Sequence, residues 1–352
     1  MAAEHAVRPL RIAIAGAGLI GRAHQQRIAQ RDDCVLAAFV DPAPAAAALA
    51  AQAGVPLHAE LATMLRQERP DGVILATPNA LHVSGALACL EAGVPVLVEK
   101  PVADSLADAQ ALAAAAEASG VPVLVGHHRR HSAILERARS LIAAGALGRL
   151  VAVTASATFY KPDDYFEAAP WRRQAGGGPI LINLVHEIDN LRCLVGEIVE
   201  VQALASNATR GFEVEDTVAI GLRFASGALG SFMLSDAAAS PRSWEQTSGE
   251  NKAYDHHADQ DCYVIAGTRG SLQVPTLRHY RYDGPASWWS PLQRGMTPLP
   301  DVDPLARQLD HFCAVLRREA APRVTVRDAA RTLAVTLAVA EAARSGQRIA
   351  LD

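Results

Sequence analysis

Three glycines near the start of the chain, Gly16, Gly18 and Gly21, have the spacing of a loop that binds phosphate groups through its backbone. They follow the apolar run Leu10–Ala15, which predicts a buried strand, and they open a stretch with helical periodicity. In that setting the glycines allow a tight turn, the approach of a diphosphate and close packing of the helix. Asp41 ends the next predicted strand, 20 residues after Gly21, where it can accept hydrogen bonds from both ribose hydroxyls. Because its charge would repel a 2′-phosphate, we expect NAD rather than NADP.

A lysine at the end of another predicted strand could exchange a proton with an alcohol. Lys100 follows Val94–Glu99, and ligands bind outside the carboxyl ends of parallel strands. An amine that loses water in such a crevice has a lowered pKa and can act as an acid or a base. The chain has only three lysines, Lys100, Lys161 and Lys252, and otherwise uses arginine for positive charge. A solvated surface role therefore explains Lys100 poorly.

The elements that must position these residues alternate over the first third of the chain. Helical stretches near 80–92 and 104–118 separate further predicted strands, which are Val35–Val40, Val73–Ala76, Val94–Glu99 and Val121–Val125. This alternation predicts βαβ units and an α/β, doubly wound parallel sheet over residues 1–126. The pattern then changes to longer alternating strands, which predict a mostly antiparallel α+β domain over 127–352 whose last helix can pack back on the first domain.

Composition excludes several classes of function. The 352 residues exceed one ordinary core, and the net charge of −4 disfavours nucleic acid as a partner. The five cysteines show no CxxC spacing, so neither a disulfide framework nor a cysteine zinc site is supported. No signal peptide is recognisable, and no run approaches the roughly 20 apolar residues that span a bilayer. We therefore expect a cytoplasmic protein that does not act at a membrane.

Two further segments lie at strand ends: Ala76–His82, and the tripeptide Glu99–Pro101. With the glycine loop they resemble the Gfo/Idh/MocA oxidoreductases over most of the chain. The resemblance implies an N-terminal Rossmann domain, followed by an α+β domain with a large open sheet. It also implies that Lys100 lies beside the nicotinamide and the substrate hydroxyl, before a cis Pro101. The cofactor site is then expected to comprise Gly16, Gly18, Leu19, Ile20, Gly21, Asp41, Thr77, Pro78, Asn79, His82, Glu99 and Lys100.

A second family motif departs from its usual form. After the glycines at 176–178, His186 matches the family histidine, but Ile182 stands where the family has an aspartate. Asn183 is adjacent and lies three residues before His186, which predicts one shared helix face. We expect Asn183 to bind or orient the substrate and His186 to relay or donate a proton. Asp189 shares that face, and a structural hydrogen bond is the favoured interpretation for it.

The substrate pocket has two further groups of candidates. One follows the last Rossmann strand, where the resemblance implies that His128 and Arg129 contact the ligands. The other is an aromatic and cationic loop over residues 160–173. Its rings suit a sugar or diene face, and its cations Lys161 and Arg172 suit a carboxylate or several hydroxyls. Alternatively, its rings pack the core and its cations are solvated. The expected substrate-binding residues are Lys100, His128, Arg129, Tyr160, Lys161, Trp171, Arg172, Asn183 and His186. We expect no metal, and Lys252, His256 and His257 have no assigned role.

These residues predict an NAD-dependent dehydrogenase that oxidises a secondary alcohol of a sugar, polyol, inositol or sugar acid. One alternative is a cis-dihydrodiol dehydrogenase for an aromatic-acid diol, motivated by the aromatic loop. A second is a catalytically silent NAD-sensing regulator, against which Lys100 and His186 argue. A third is a glycosidase that holds NAD tightly. The resemblance also implies a homodimer or homotetramer built on the second-domain sheet.

Overall fold

The computed structural model describes residues 8–298 and 300–351. These form two compact units. The first contains the described residues up to His128 together with Leu305–Arg331, and the second contains Arg129–Pro304 and the described residues from Thr332 onward. The predicted boundary after residue 126 lies close to this division. The stretch 305–331, however, was expected with the second domain and belongs to the first unit, because side chains such as Phe312 are buried in the first unit's core.

The first unit is a Rossmann domain. Among the described residues, its six strands form one parallel sheet in the order β3-β2-β1-β4-β5-β6. The elements before residue 127 are β1 (Leu10–Ala15), α1 (Leu19–Ile28), β2 (Cys34–Val40), α2 (Ala46–Ala53), β3 (Leu57–His58), α3 (Leu61–Glu68), β4 (Gly72–Leu75), α4 (His82–Glu91), β5 (Val96–Glu99), α5 (Leu106–Ser119) and β6 (Val123–Gly126).

The predicted strands of this unit are confirmed within a few residues at their ends. The central strands β4, β5 and β6 are buried along their whole length, as expected for a parallel sheet covered on both faces. The short elements β3 and α3 were not predicted, since two residues of strand leave no periodicity to detect. The strand order reverses between β1 and β4, so the loops after these two strands meet at the crevice where dinucleotides bind.

The second unit contains an open sheet of nine strands among the described residues, in the order β14-β13-β12-β11-β7-β10-β9-β8-β15. One pair, β7 with β10, is parallel and the others are antiparallel. The remaining elements of the chain are α6 (Ala133–Ala143), β7 (Leu150–Thr158), α7 (Asp163–Glu167), α8 (Val185–Val195), β8 (Ile198–Ser206), β9 (Thr217–Phe224), β10 (Leu229–Ser235), α9 (Trp244–Ser248), β11 (Tyr263–Gly267), β12 (Gly270–Val274), β13 (Arg278–Arg281), β14 (Gln293–Met296), α10 (Pro304–Leu316), α11 (Val326–Ser345) and β15 (Ile349–Ala350).

Two segments whose richness in Pro, Ser, Gly and Asp predicts loops, 236–260 and 283–302, contain regular structure. Residues 236–260 include α9, whose first turn is capped by Ser243 through the backbone N–H of Gln246. The sequence Ser-x-x-Gln is a capping-box signal, so this helix start was detectable. Residues 283–302 include β14, which forms through its pairing with β13 at the sheet edge. Within the described residues, no helix combines the length and the apolar character needed to cross a membrane.

Candidate functional site

The glycine loop after β1 is shaped as its sequence predicts. Gly16 has a φ of +98°, and a Cβ atom there would lie 2.3 Å from the carbonyl oxygen of Ala76. A Cβ atom on Gly21 would lie 1.9 Å from the carbonyl oxygen of Gly16. Around Gly18, by contrast, no atom lies within 4 Å of a Cβ position, and Leu19 at the start of α1 is 90% exposed. The loop therefore leaves open space for a diphosphate at its middle glycine.

Asp41 connects the end of β2 to this loop. Its two carboxylate oxygens accept hydrogen bonds from the backbone N–H groups of Ala17 and Ala43, each at 2.8 Å. The side chain is half-buried, and each oxygen keeps a further lone pair. The carboxylate is therefore held in one orientation and can still accept hydrogen bonds from ribose hydroxyls.

His82 joins the two segments that identified the family resemblance. It is buried, with Nδ1 2.7 Å from the carbonyl oxygen of Pro101 and Nε2 2.9 Å from that of Thr77. The Lys100–Pro101 peptide bond is cis, as the resemblance implied. His82 was expected to line the cofactor, and in the structure its two ring nitrogens lie beside backbone oxygens, so that it links the two loops. Pro78 and Asn79 are exposed in the same segment.

The hydroxyl of Thr77 is available to a ligand as a hydrogen-bonding group. Its Oγ1 atom is buried and makes no hydrogen bond within the described part of the chain. A buried hydroxyl without a partner is costly unless a ligand supplies one. Together with the open space at Gly18, this atom shows that the residues present fit a dinucleotide.

A buried carboxylate lies beside Lys100. Glu99, the last residue of β5, is hydrogen-bonded to Nε2 of His24 at 2.7 Å, and both side chains are buried. Burial opposes the charge of Glu99, but the hydrogen bond with His24 and the positive charges of His128 and Lys100 hold the pKa of the carboxyl below its ordinary value. The site thus places a negative charge next to the amine proposed to move a proton. Sequence reasoning missed His24, although a polar residue on the packed side of α1, three residues after Gly21, was the available signal.

The second unit contains a cavity of about 230 Å³. This is smaller than the roughly 300–1,000 Å³ of pockets for drug-sized ligands, so it suits a small molecule. Its lining is formed by Arg129, Phe159, Tyr160, Lys161, Pro162, Tyr165, Asn183, Glu187, Ser243, Trp244, Glu245, Gln246 and Tyr254. The structure therefore brings together four of the predicted substrate residues, Arg129, Tyr160, Lys161 and Asn183. The carboxylate Glu187 and the ring of Tyr254 were not among the predicted site residues.

Lys161 is buried in the wall of this cavity. Its Nζ atom donates a hydrogen bond to Oδ1 of Asn183 at 2.7 Å and lies 3.3 Å from a carboxylate oxygen of Asp236. It also lies 4.9 Å from the ring centroid of Tyr165. Burial lowers the pKa of Lys161 to about 8, against the opposing effect of Asp236. The alternative that the cations of this loop are solvated is therefore wrong for Lys161.

Arg129 is also buried and paired with carboxylates. Its guanidinium group donates to Glu187 and to Glu245, each at 2.7 Å, and lies 5.4 Å from the ring centroid of Trp244. Glu187 in turn accepts a hydrogen bond from the hydroxyl of Tyr263. Arg129 was expected to contact the ligands, and it lines the cavity with its charge balanced by two carboxylates.

The segment after the glycines at 176–178 does not form one continuous α-helix. Ile180–Leu184 is a π-helical turn, and α8 begins at Val185. A π turn closes hydrogen bonds over five residues, so a spacing of three no longer places two side chains on one face. Asn183 lies in this turn and His186 in α8, so the regular α-helical spacing behind their predicted shared face does not hold between them. Asn183 lines the cavity together with Glu187, whereas the half-buried His186 is not one of the described residues that line it.

The remaining loop candidates support the cavity or lie outside it. The guanidinium group of Arg172 lies 3.8 Å from the ring centroid of Tyr165 and donates to its backbone oxygen. Trp171 is 52% exposed and is not one of the described lining residues. Asp189 is structural, as expected, because it is buried against Arg130 at 2.7 Å and accepts from the hydroxyl of Thr332.

The residues without an assigned role lie in surface loops or support them. Lys252 forms an exposed ion pair with Asp301 at 2.9 Å. His256 contacts the backbone oxygen of Thr247 at 3.1 Å, and the ring of His257 lies 3.4 Å from Asp255. In the described ranges, no group of three or more His, Cys, Asp or Glu side chains is arranged to hold a metal ion, and none of the five cysteines forms a disulfide bond.

Comparison with known proteins agrees with this architecture. Residues 10–127 match the family model described as an oxidoreductase family with an NAD-binding Rossmann fold, and residues 135–273 match the GFO/IDH/MocA C-terminal domain. The 1,5-anhydro-D-fructose reductase of Ensifer adhaerens is 30% identical over 284 residues, which are 80% of each chain. The scyllo-inositol 2-dehydrogenase (NAD(+)) of Bacillus subtilis (strain 168) is 27% identical over 294 residues, 80% of this chain and 78% of that one.

A solved structure extends the likeness to the whole fold. The WlbA dehydrogenase from Bordetella pertussis, in complex with NADH and UDP-GlcNAcA, has a TM-score of 0.79 and 27% identity. The match covers 98% of this chain and 99% of that one. The first unit is thus an NAD-binding Rossmann domain, and the protein is an oxidoreductase that acts on CH–OH groups. On the fold, the motifs and these matches, the chain belongs to the Gfo/Idh/MocA oxidoreductase family.

Proposed function

We propose that this protein is an NAD-dependent dehydrogenase that oxidises a secondary alcohol of a small polyhydroxylated compound: a sugar, polyol, inositol or sugar acid. The observation that carries the proposal is Lys100, which directly follows β5 and whose charge acts on the buried Glu99 carboxylate. Relatives named for 1,5-anhydro-D-fructose and scyllo-inositol support a small substrate with several hydroxyl groups.

In the proposed reaction, Lys100 in its neutral amine form accepts the proton of the substrate hydroxyl, and the alcohol carbon becomes a carbonyl as it loses its hydride. The Glu99 carboxylate, held by His24 at 2.7 Å, remains negative and stabilises the ammonium group that results. NAD supplies the hydride-accepting carbon when it is bound. Asn183 binds the substrate, and His186 relays the released proton during oxidation or donates a proton in the reverse reduction.

We propose NAD as the preferred cofactor because of Asp41. Its carboxylate is fixed by the N–H groups of Ala17 and Ala43, so it cannot easily turn away from a ribose. A 2′-phosphate at that ribose would meet a fixed negative charge. Activity with NADP equal to or above that with NAD would contradict this preference.

A second candidate is a cis-dihydrodiol dehydrogenase for an aromatic-acid diol. The observation that favours it is the aromatic character of the cavity wall, which includes Phe159, Tyr160, Tyr165, Trp244 and Tyr254. Planar rings of this kind stack on a diene as well as on the apolar face of a sugar.

The experiment is a panel of aldoses, polyols, inositols, sugar acids and cis-dihydrodiols, offered with NAD or NADP while NADH or NADPH absorbance is followed. Turnover of a polyhydroxylated compound with NAD supports the leading proposal, and turnover of a dihydrodiol alone supports the second candidate. Tight NAD binding without turnover of any compound would favour the silent regulator. Glycoside cleavage without net NADH would favour the glycosidase.

We also propose that the protein forms a homodimer or homotetramer through the nine-stranded sheet. One face of that sheet exposes large apolar side chains, including Leu204, Leu229 and Met233, and patches of this kind mark interaction surfaces. Leu204→Lys should lower the mass measured by light scattering after size exclusion. Val35→Lys, which changes an exposed apolar residue of the first unit, is the matched control. An unchanged mass for Leu204→Lys would contradict the proposal.

A further inference from the structure

In the cavity of the second unit, the contact between Lys161 and Asn183 determines which group the Asn183 amide can bind. We propose that Lys161 is a positioning residue that orients the Asn183 amide so that its nitrogen donates to a substrate oxygen, and that the cavity selects an uncharged substrate over a carboxylate. This inference rests on the proposed function and narrows its substrate class.

Lys161 is fixed along its whole length. Its backbone N–H donates to the carbonyl oxygen of Asp236 at 2.8 Å, and its own carbonyl oxygen accepts from Arg210 at 2.8 Å. Arg210 also donates to the carboxylate of Asp236 at 3.1 Å. These contacts therefore hold the ammonium group at the end of the side chain in one position.

The ammonium group decides the orientation of the Asn183 amide. It lies 2.7 Å from that amide, and an ammonium group has only donors, so the atom that faces it must be the amide oxygen. The amide nitrogen is thereby left for the cavity that Asn183 lines, and it makes no hydrogen bond to protein within the described ranges. A substrate oxygen that accepts a hydrogen bond satisfies this nitrogen, whether it belongs to a hydroxyl, a carbonyl or an ether group.

The charges of the cavity wall cancel. Among the described lining residues, the cations Arg129 and Lys161 are balanced by the anions Glu187 and Glu245. Arg129 already contacts both of those carboxylates, and Lys161 contacts Asp236 behind the wall at 3.3 Å.

A substrate carboxylate would therefore enter a small cavity whose cations are already paired. It would have to displace a protein carboxylate or remain without a close counter-charge, and either outcome is unfavourable beside the buried groups Lys161, Arg129 and Glu187. A neutral polyol or sugar meets no such cost. Its hydroxyls can donate to Glu245 and accept from Asn183, while its apolar face packs on the rings.

The first test separates binding from chemistry. Lys161→Met should raise KM for the best neutral substrate by about 10-fold while kcat changes less than about threefold, because the amide loses its fixed orientation. Lys161→Arg, which again offers only donors, should recover most of that loss. Asn183→Asp keeps the partner of Lys161 but removes the donor to the substrate, so its KM should rise further. Lys252→Met, an exposed lysine paired with Asp301, is the matched control.

The second test concerns charge and compares an aldose with the uronic acid of the same ring. The wild-type protein should show the higher kcat/KM with the aldose. Glu245→Gln leaves Arg129 with one carboxylate partner, so the ratio of acid to aldose kcat/KM should rise at least threefold.

The outcomes distinguish this inference from the proposed function. If the wild-type protein oxidises no member of the panel, the proposed function fails. If it turns over aldoses but Lys161→Met leaves their KM unchanged, the positioning role is wrong. If it prefers the uronic acid and loses that preference in Lys161→Met, the lysine binds a carboxylate and the inference is overturned.

Discussion

The glycine loop of the first unit and the cavity of the second unit reach their geometry by different routes. In the loop, backbone atoms make the site: Gly16 and Gly21 pack against carbonyl oxygens, and Asp41 is held by two backbone N–H groups. In the cavity, side chains from distant segments make the site, and Arg129 and Lys161 each contact carboxylates. A backbone site follows from residue spacing, whereas a side-chain site depends on which segments the fold brings together.

The largest expected effect tests the chemistry proposed beside the loop. Lys100→Met should lower kcat by about 10²–10⁴-fold, the usual contribution of a positioned acid or base, with little change in the affinity for NAD. Steady-state rates and NADH binding by fluorescence measure the two quantities. Lys252→Met serves as the control, and full turnover by Lys100→Met would refute the mechanism.

The next effect tests the claim that the cavity wall is held together by buried charge. Arg129→Met leaves Glu187 buried without its cation, so the free energy of unfolding should fall by about 3–5 kcal/mol. Arg327→Met, which breaks an exposed pair with Glu117 in the first unit, should cost about 0–1 kcal/mol. Urea unfolding followed by circular dichroism gives both values. Equal losses of unfolding free energy in the two variants would contradict the claim that buried charge holds the cavity wall together.

A smaller effect separates the roles of the glycines. Gly21→Ala should destabilise the protein by about 1–3 kcal/mol, since its Cβ atom would lie 1.9 Å from a backbone oxygen. Gly18→Ala should leave the thermal midpoint nearly unchanged because no atom lies within 4 Å, yet it should weaken NAD binding by filling the open space. Thermal melts with and without NAD distinguish the two. A large loss of stability in Gly18→Ala would contradict the assignment.

The smallest effect is a pH dependence confined to the cavity. Burial lowers the pKa of Lys161 to about 8, and the charged groups around it are Asp236, Glu215, Arg172 and Arg210. Below that pKa the ammonium group can only donate, whereas above it the neutral amine can also accept, so the Asn183 amide is no longer held in one orientation. KM for a neutral substrate should therefore rise a few-fold as pH increases through about 8. Lys161→Arg should show no such rise, and identical profiles would refute this role.

The features that the sequence predicted correctly depend on the backbone and on short motifs, and the features that it did not predict depend on contacts between distant segments. The strands, the glycine loop and the cis Pro101 implied by the family resemblance agree with the structure because each depends on local spacing or on a short motif. The α-helical spacing assumed for Asn183 and His186 does not hold, because a π turn, which periodicity does not reveal, lies between the glycines and α8. The return of residues 305–331 to the first unit also depends on packing far along the chain.

The sequence by itself determined the dinucleotide loop, the position of Lys100 at a strand end and the family, since these follow from residue type and spacing along one segment. Only the tertiary structure decided that Arg129 and Lys161 are paired rather than available. Their partners Glu245 and Asp236 are separated from them by many residues and reach them through the fold. Charge in a buried site depends on neighbours in space, and that is the information a linear pattern does not contain.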